Sequence, residues 1–253
     1  WALAILAGVS QLYQAQTNAV ISIVGLYLWD TSPDPYAAYN NPNDPDNADD
    51  MLDALGNEWI TNGAGINRDL VHLLTKRTNT GTGGIAWVDA LCDYTYGYAF
   101  SAELDADTIL NFPNPSYTWN HSTVAHEIGH NIGSNHTHWC GWPGGPIDNC
   151  VDVEGACLNN PLAQVGTIMS YCHVPWAGSV IMEFHPIVIS SALTPGINAA
   201  SCVTTCATPT WDCINGACVD PGTGNGQYSS LSTCQTACGA TPSSACTDTL
   251  LLE

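Results

Sequence analysis

Apolar side chains recur every three to four positions along LAILAGVSQLYQAQ (3–16), the spacing of one helical face, and the pattern predicts a helix there. The next stretch, AVISIVGLYLW (19–29), is β-branched and almost wholly apolar, as expected of a buried strand. A Pro-, Asn- and Asp-rich segment (31–47) matches neither period and reads as a loop, after which ADDMLDALGNEWITN (48–62) returns to helical spacing. Three short strands are predicted over 68–75, 83–91 and 96–103, separated by Gly- and Asn-rich turns. A further helix is predicted at STVAHEIGH, with Ser122 as its N-cap and Val124, Ala125 and Ile128 as its apolar side. Residues 141–168 are irregular. Strands alternating with helices, followed by a loop-rich remainder, imply an α/β layer and a smaller irregular part.

The pattern fades after Cys202. From Cys206 to Cys246 six cysteines are set among Gly, Ser, Thr and Pro, with too few apolar residues to supply a core. We therefore expect two parts: residues 1–202 as the main domain and 203–253 as a small cysteine-rich module. That module is either a cross-linked terminus or a unit that binds matrix, glycan or another protein. The 12 cysteines are even in number and none forms a CxxC pair, which points to disulfides and an extracellular setting. The longest apolar runs are about half of what a membrane span requires, so none is expected. Only Arg68, Lys76 and Arg77 are basic, and a net charge of -20 argues against nucleic acid as a partner. The chain lacks an initiator Met and a basic leader region, so it is expected to be a processed fragment whose true N-terminus lies upstream.

One stretch carries the candidate chemistry. HSTVAHEIGHNIGSNHTHWC (121–140) holds five of the eight histidines. His126 and His130, four apart on a helix, share a face and can reach one ion, with Glu127 beside them. Gly133 allows the helix to end and the chain to turn back, which brings His136 to the same ion as a third ligand. His138 competes for that role, and the spacing after Gly133 favours His136. The five identities of H-E-x-x-H-x-x-G-x-x-H should co-occur by chance on the order of once in 10⁵ such sequences. Downstream, Met169 in GTIMSYC is the second mark of a metzincin. His173 is either a pocket wall or a structural residue, and His72, His121 and His185 read as structural.

On these motifs, and on RDLVHLLTKRTNTGTGGIAWVDALCDYTYGYAFS (68–101) and HTHWCGWPGGPIDNC (136–150), the chain resembles the reprolysin (adamalysin/ADAM-type) metzincins, of the secreted bacterial kind. The resemblance covers roughly residues 10–202. It implies a strand before the first helix, missing from this chain, and a mostly parallel twisted sheet with an antiparallel edge strand at Gly84–Val88 that binds peptide substrate by strand addition. Gly84, Ile85, Ala86 and Trp87 would then contact substrate, as would Tyr171 and His173 in the YCHVPW segment (171–176) after the Met-turn. It implies Zn2+ held by His126, His130 and His136, with Glu127 as general base of a zinc endopeptidase. It also implies a structural Ca2+, for which the sequence offers no placeable ligand set. Three disulfides follow by position: Cys92–Cys202, Cys140–Cys172 and Cys150–Cys157. A non-catalytic relative would be expected to have lost Glu127 or a ligand, and this chain keeps them all.

Overall fold

The structure is a computed structural model. It describes residues 1–29, 34–39, 41, 43–44, 47–157, 165–174, 180–204, 211–214, 216–219, 226–238 and 248–252. Helix α1 (Ala2–Thr17) buries Ile5, Leu6, Val9, Leu12 and Tyr13, the face predicted by its spacing. It stops at Asn18, whose left-handed φ of 61° suits an Asn and whose N–H caps Gln14 O. Strand β1 (Ala19–Ile23) follows, and the apolar run beyond it is not strand as expected. Val24–Trp29 have no regular structure and expose Leu28 by 74%, so apolar composition alone did not secure them a pairing partner. β1 pairs in parallel with the C-terminal strand β7 (Asp248–Leu252).

Helix α2 (Asn47–Thr61) lays Met51, Leu52, Leu55 and Trp59 on a three-stranded sheet. The sheet order is β2 (Val71–Leu74), β4 (Tyr98–Ser101), β3 (Gly84–Ala86). β2 runs parallel to β4, whereas β3 is antiparallel to it with Ile85 opposite Phe100. β4 is central and entirely buried; β3 is an edge. The fold is thus mixed α/β with an antiparallel edge strand.

Helix α3 (Trp119–Ile132) runs through the middle, with every residue from Asn120 to Ile132 buried. It begins at Thr118 and not at the expected Ser122, because Trp119 to His121 are already helical and packed. Val124, Ala125, Ile128 and Ile132 meet the buried face of α1. The Tyr13 hydroxyl donates to Ala125 O at 2.8 Å, pinning the two helices together. The same core receives Val188, Leu193 and Ile197 from a helical run. That run comprises α4 (Pro186–Val188), a π turn (Ile189–Leu193) and α5 (Thr194–Ala199). His185 caps it, its Nδ1 accepting the Ile187 N–H at 3.2 Å. No helix among the described residues is long and apolar enough to cross a membrane.

Cystines hold the irregular parts. Cys92 is joined to Cys202. The two other expected pairings are corrected: Cys140 bonds Cys157, not Cys172, and Cys150 bonds Cys172, not Cys157. The reason is local. A bridge between Trp139 and Glu154 lays the 154–157 segment alongside Cys140, and Cys140 N–H donates to Glu154 O at 2.8 Å. Cys150 and Cys172 are meanwhile buried together with Val180. In the C-terminal part, hairpin β5–β6 (Asp212–Ile214, Ala217–Val219) and α6 (Leu231–Cys238) enclose a small cluster of Trp211, Cys218 and Cys234. Cystines Cys213–Cys238 and Cys218–Cys234 cross it; Cys206 and Cys246 lie outside the described residues.

Candidate metal centre and cleft

α3 projects His126 and His130 from one face, one turn apart, with their Nε2 atoms 3.1 Å apart. At Gly133 the backbone takes φ 120°, where L side chains are strained, and the helix closes as Ser134 N–H donates to Gly129 O. The chain then returns His136 to the pair, its Nε2 3.1 Å from that of His130. These three ligand atoms form one compact group that could hold a metal ion.

The opposite ring nitrogens explain why the Nε2 atoms are free. His126 Nδ1–H donates to Ile168 O, His130 Nδ1–H to Ser134 O, and His136 Nδ1–H to Glu154 Oε1, each at 2.7 Å. Carbonyl and carboxylate oxygens only accept, so each Nδ1 carries the proton and each Nε2 presents a lone pair. Three lone pairs facing one another repel unless a cation lies between them, and an N/N/N donor set at this spacing suits zinc. Burial, followed by the neighbouring imidazoles, pushes His126 well below the usual histidine range. The same causes bring His130 to about 4, and burial also lowers His136. Near neutrality all three are therefore uncharged, the form that binds metal. His138 does not join them, because its Nε2 faces Glu154 Oε1 at 3.1 Å.

Glu127 lies beside the imidazoles, 5% exposed, and burial pushes its carboxyl well above the usual range. Edge strand β3 passes directly over it. A Cβ on Gly84 would fall 2.5 Å from Glu127 Oε1, so only a glycine lets the strand approach this closely. Met169 is fully buried beneath the site, and a Cβ on Gly129 would meet its sulfur at 2.6 Å. The Met169 turn is fastened by Thr137, whose N–H and hydroxyl both donate to Met169 O.

Beside Glu127 opens a cavity of about 210 Å³ lined by Gly84, Trp119, Thr123, Glu127, Tyr171 and His173. Tyr171 leans over the imidazoles, its ring centroid 4.4 Å from that of His136 and 5.8 Å from that of His126. His173 packs on Trp119 at 5.4 Å. Of the expected edge-strand residues, Gly84 reaches the cavity, Ile85 turns its side chain into the α2–β4 core, and Trp87 is 39% exposed and packs edge-on against Tyr96. Ala86 is the last residue of β3, and Val88 lies beyond it. Pro175 and Trp176 lie outside the described residues. A larger groove of about 320 Å³ between β2 and residues 25–29 lies away from the imidazoles and gathers no group of metal-ligating side chains among the described residues.

Three contributors were not singled out by sequence reasoning. Gly129 stands inside HEIGH, where the need for close packing under the imidazoles was its signal. Asn131 ties α3 to the sheet, its amide donating to Trp87 O and Tyr98 O, and nothing in the sequence marks it. Glu154 lies in a loop with no periodicity, so no signal pointed to it. Residues 3–137, more than half of the chain, match the family described as Metallo-peptidase family M12B Reprolysin-like, up to and including the third histidine. No curated protein matches the chain. With three convergent histidines that could hold a metal ion set in an α/β fold that carries an antiparallel edge strand, the chain belongs to the reprolysin-like M12B metallopeptidases, a zinc-dependent family.

Proposed function

We propose that this protein is a secreted zinc endopeptidase in which His126, His130 and His136 hold one zinc through Nε2 and Glu127 is the general base. One observation carries the reading: three Nε2 lone pairs converge next to a buried carboxyl, at the mouth of a cavity under an edge strand. When bound there, zinc supplies Lewis acidity that makes a water more acidic and polarises a carbonyl. Glu127, raised by burial, accepts the proton of the attacking water at its carboxylate and later delivers it to the leaving nitrogen. β3 has no strand partner on its outer edge among the described residues, and it aligns an extended peptide by backbone hydrogen bonds. The side chain after the scissile bond enters the cavity walled by Trp119, Tyr171 and His173, which favours an apolar residue.

Residues 1–202 act as the catalytic domain and 203–253 as a cystine-held module that binds matrix, glycan or another protein. The disulfides support an extracellular setting. No group of three acids converges among the described residues, and the structural Ca2+ that the resemblance implies is assigned no site here. The test is a peptide-library digest with and without a chelator, run alongside elemental analysis. The expected result is one zinc per chain and chelator-sensitive internal cleavage. Intact peptides with zinc bound would overturn the peptidase reading.

A further inference from the structure

The three candidate ligands are not held alike. His126 and His130 give their Nδ1 protons to backbone carbonyls, of Ile168 and Ser134. His136, on a loop with no helix to aim it, gives its proton to a side-chain carboxylate, Glu154 Oε1 at 2.7 Å. The same oxygen takes the Nε2–H of His138 at 3.1 Å, and the two imidazoles stack with centroids 5.0 Å apart and planes 8° apart. The Glu154 backbone is itself fixed, its N–H donating to His138 O at 3.0 Å and its carbonyl accepting from Cys140 N–H. Cystines Cys140–Cys157 and Cys150–Cys172 fasten the segment at both ends. So one carboxylate is anchored to the very stretch that carries both rings.

We infer that Glu154 is the positioning residue of the metal centre: it orients His136 for the ion through Nδ1 and occupies the ring nitrogen by which His138 would otherwise compete. The inference rests on the proposed zinc site. Without Glu154, His136 keeps its ring contacts with His138 and Tyr171 but loses the hydrogen bond that fixes its tautomer and in-plane orientation, because its Nδ1 has no other acceptor among the described residues. A carboxylate acceptor also makes the imidazole a better donor than a carbonyl does, and outer partners of this kind are commonly worth about 10–100-fold in metal affinity. The arrangement is a hydrogen-bonded clamp and not a second metal site, because His136 cannot turn Nδ1 to another ion while that atom donates to Glu154.

The experiment uses the full chain and three variants: Glu154→Ala, Glu154→Gln, and Asp152→Asn as a control that removes the same charge from an exposed position in the same loop. Zinc affinity is read by competition with a chromogenic chelator, ligand geometry by the visible spectrum of Co2+ bound in place of zinc, and loop integrity by thermal unfolding of the metal-free forms. The expected result is zinc binding weakened by about 10–100-fold in Glu154→Ala, with an altered Co2+ spectrum. Glu154→Gln, whose amide oxygen still accepts, should fall between Ala and the parent, and Asp152→Asn should match the parent. Parent-like affinity and spectrum in both Glu154 variants overturns the inference. So does weaker binding with an unchanged Co2+ spectrum and a lowered metal-free unfolding temperature, which would mean a purely structural role. Two zinc ions per chain, one lost with Glu154, would make it a ligand and overturn it as well. A parent chain that binds no zinc would refute the underlying site, a result distinct from all of these.

Discussion

The candidate metal centre is assembled from two halves that are ordered by different forces. One half is α3, every residue of which from Asn120 to Ile132 is buried, with Val124, Ala125, Ile128 and Ile132 packed against α1 and the C-terminal helical run. Its imidazoles are aimed by helix geometry, and backbone carbonyls finish the task. The other half, residues 134–157 with the turn at Met169, has almost no regular structure. There cystines, the Trp139–Glu154 bridge and side-chain hydrogen bonds supplement the few core contacts made by Trp142, Ile168 and Met169. Gly133 is the joint between them. The difference teaches that the first two candidate ligands inherit their precision from the hydrophobic core, whereas the third needs local supports as well.

The sharpest separation is between chemistry and metal holding. Glu127→Gln should reduce peptide cleavage by at least about 10²–10⁴-fold while zinc content stays at one per chain, because the amide keeps the shape but cannot take the proton. Cleavage assays on protein of measured zinc content decide it; a near-parent rate would end the mechanism. His130→Ala and His136→Ala should both lose zinc and activity. If the halves are ordered as described, only His130→Ala should also lower the unfolding temperature of the metal-free protein, since His130 is buried in the helix. In the helical half, Ile128→Ala should cost about 2–5 kcal/mol of global stability through the cavity it leaves. Denaturant unfolding monitored on the whole chain would reveal it, and a cost below this range would mean that α3 is not the packed centre of the core.

In the loop half, Cys140→Ser with Cys157→Ser opens a 17-residue closure. By loop entropy this is worth about 3 kcal/mol. The expected signature is faster zinc release to a chelator with the helical circular dichroism signal retained; loss of that signal would show that the two halves are not separable. The smallest effect belongs to the joint. Gly133→Ala places a side chain at φ 120° and should cost about 1–3 kcal/mol, read as a lowered unfolding temperature.

Much of this was legible beforehand because the relevant interactions are local. Helical spacing placed α1 and α2 to within a residue or two, since a buried face repeats along one segment. The convergence of the three imidazoles was readable because His126 and His130 sit one turn apart and a single Gly sets the turn to His136. Where the partner is distant in sequence, the reading failed. Residues 24–29 look like strand but pair with no strand among the described residues, and the pairings of Cys140 and Cys150 depend on how the 134–157 loop lies against itself.

The amino-acid sequence by itself determined helices α1 and α2, the helical stretch that carries His126 and His130, a strand at Gly84–Ala86, the three imidazoles with their glutamate, and the reliance of the C-terminal part on cystines. All of these follow from periodicity, spacing or composition within a short window. Only the tertiary structure decided which oxygen holds each imidazole, which glycines let β3 approach Glu127 and Met169 approach α3, and which cysteines meet. Those contacts join segments whose separation in space is set by the packing of the whole core. That is why Glu154, in a loop without a period, became visible only when its carboxylate was found against His136.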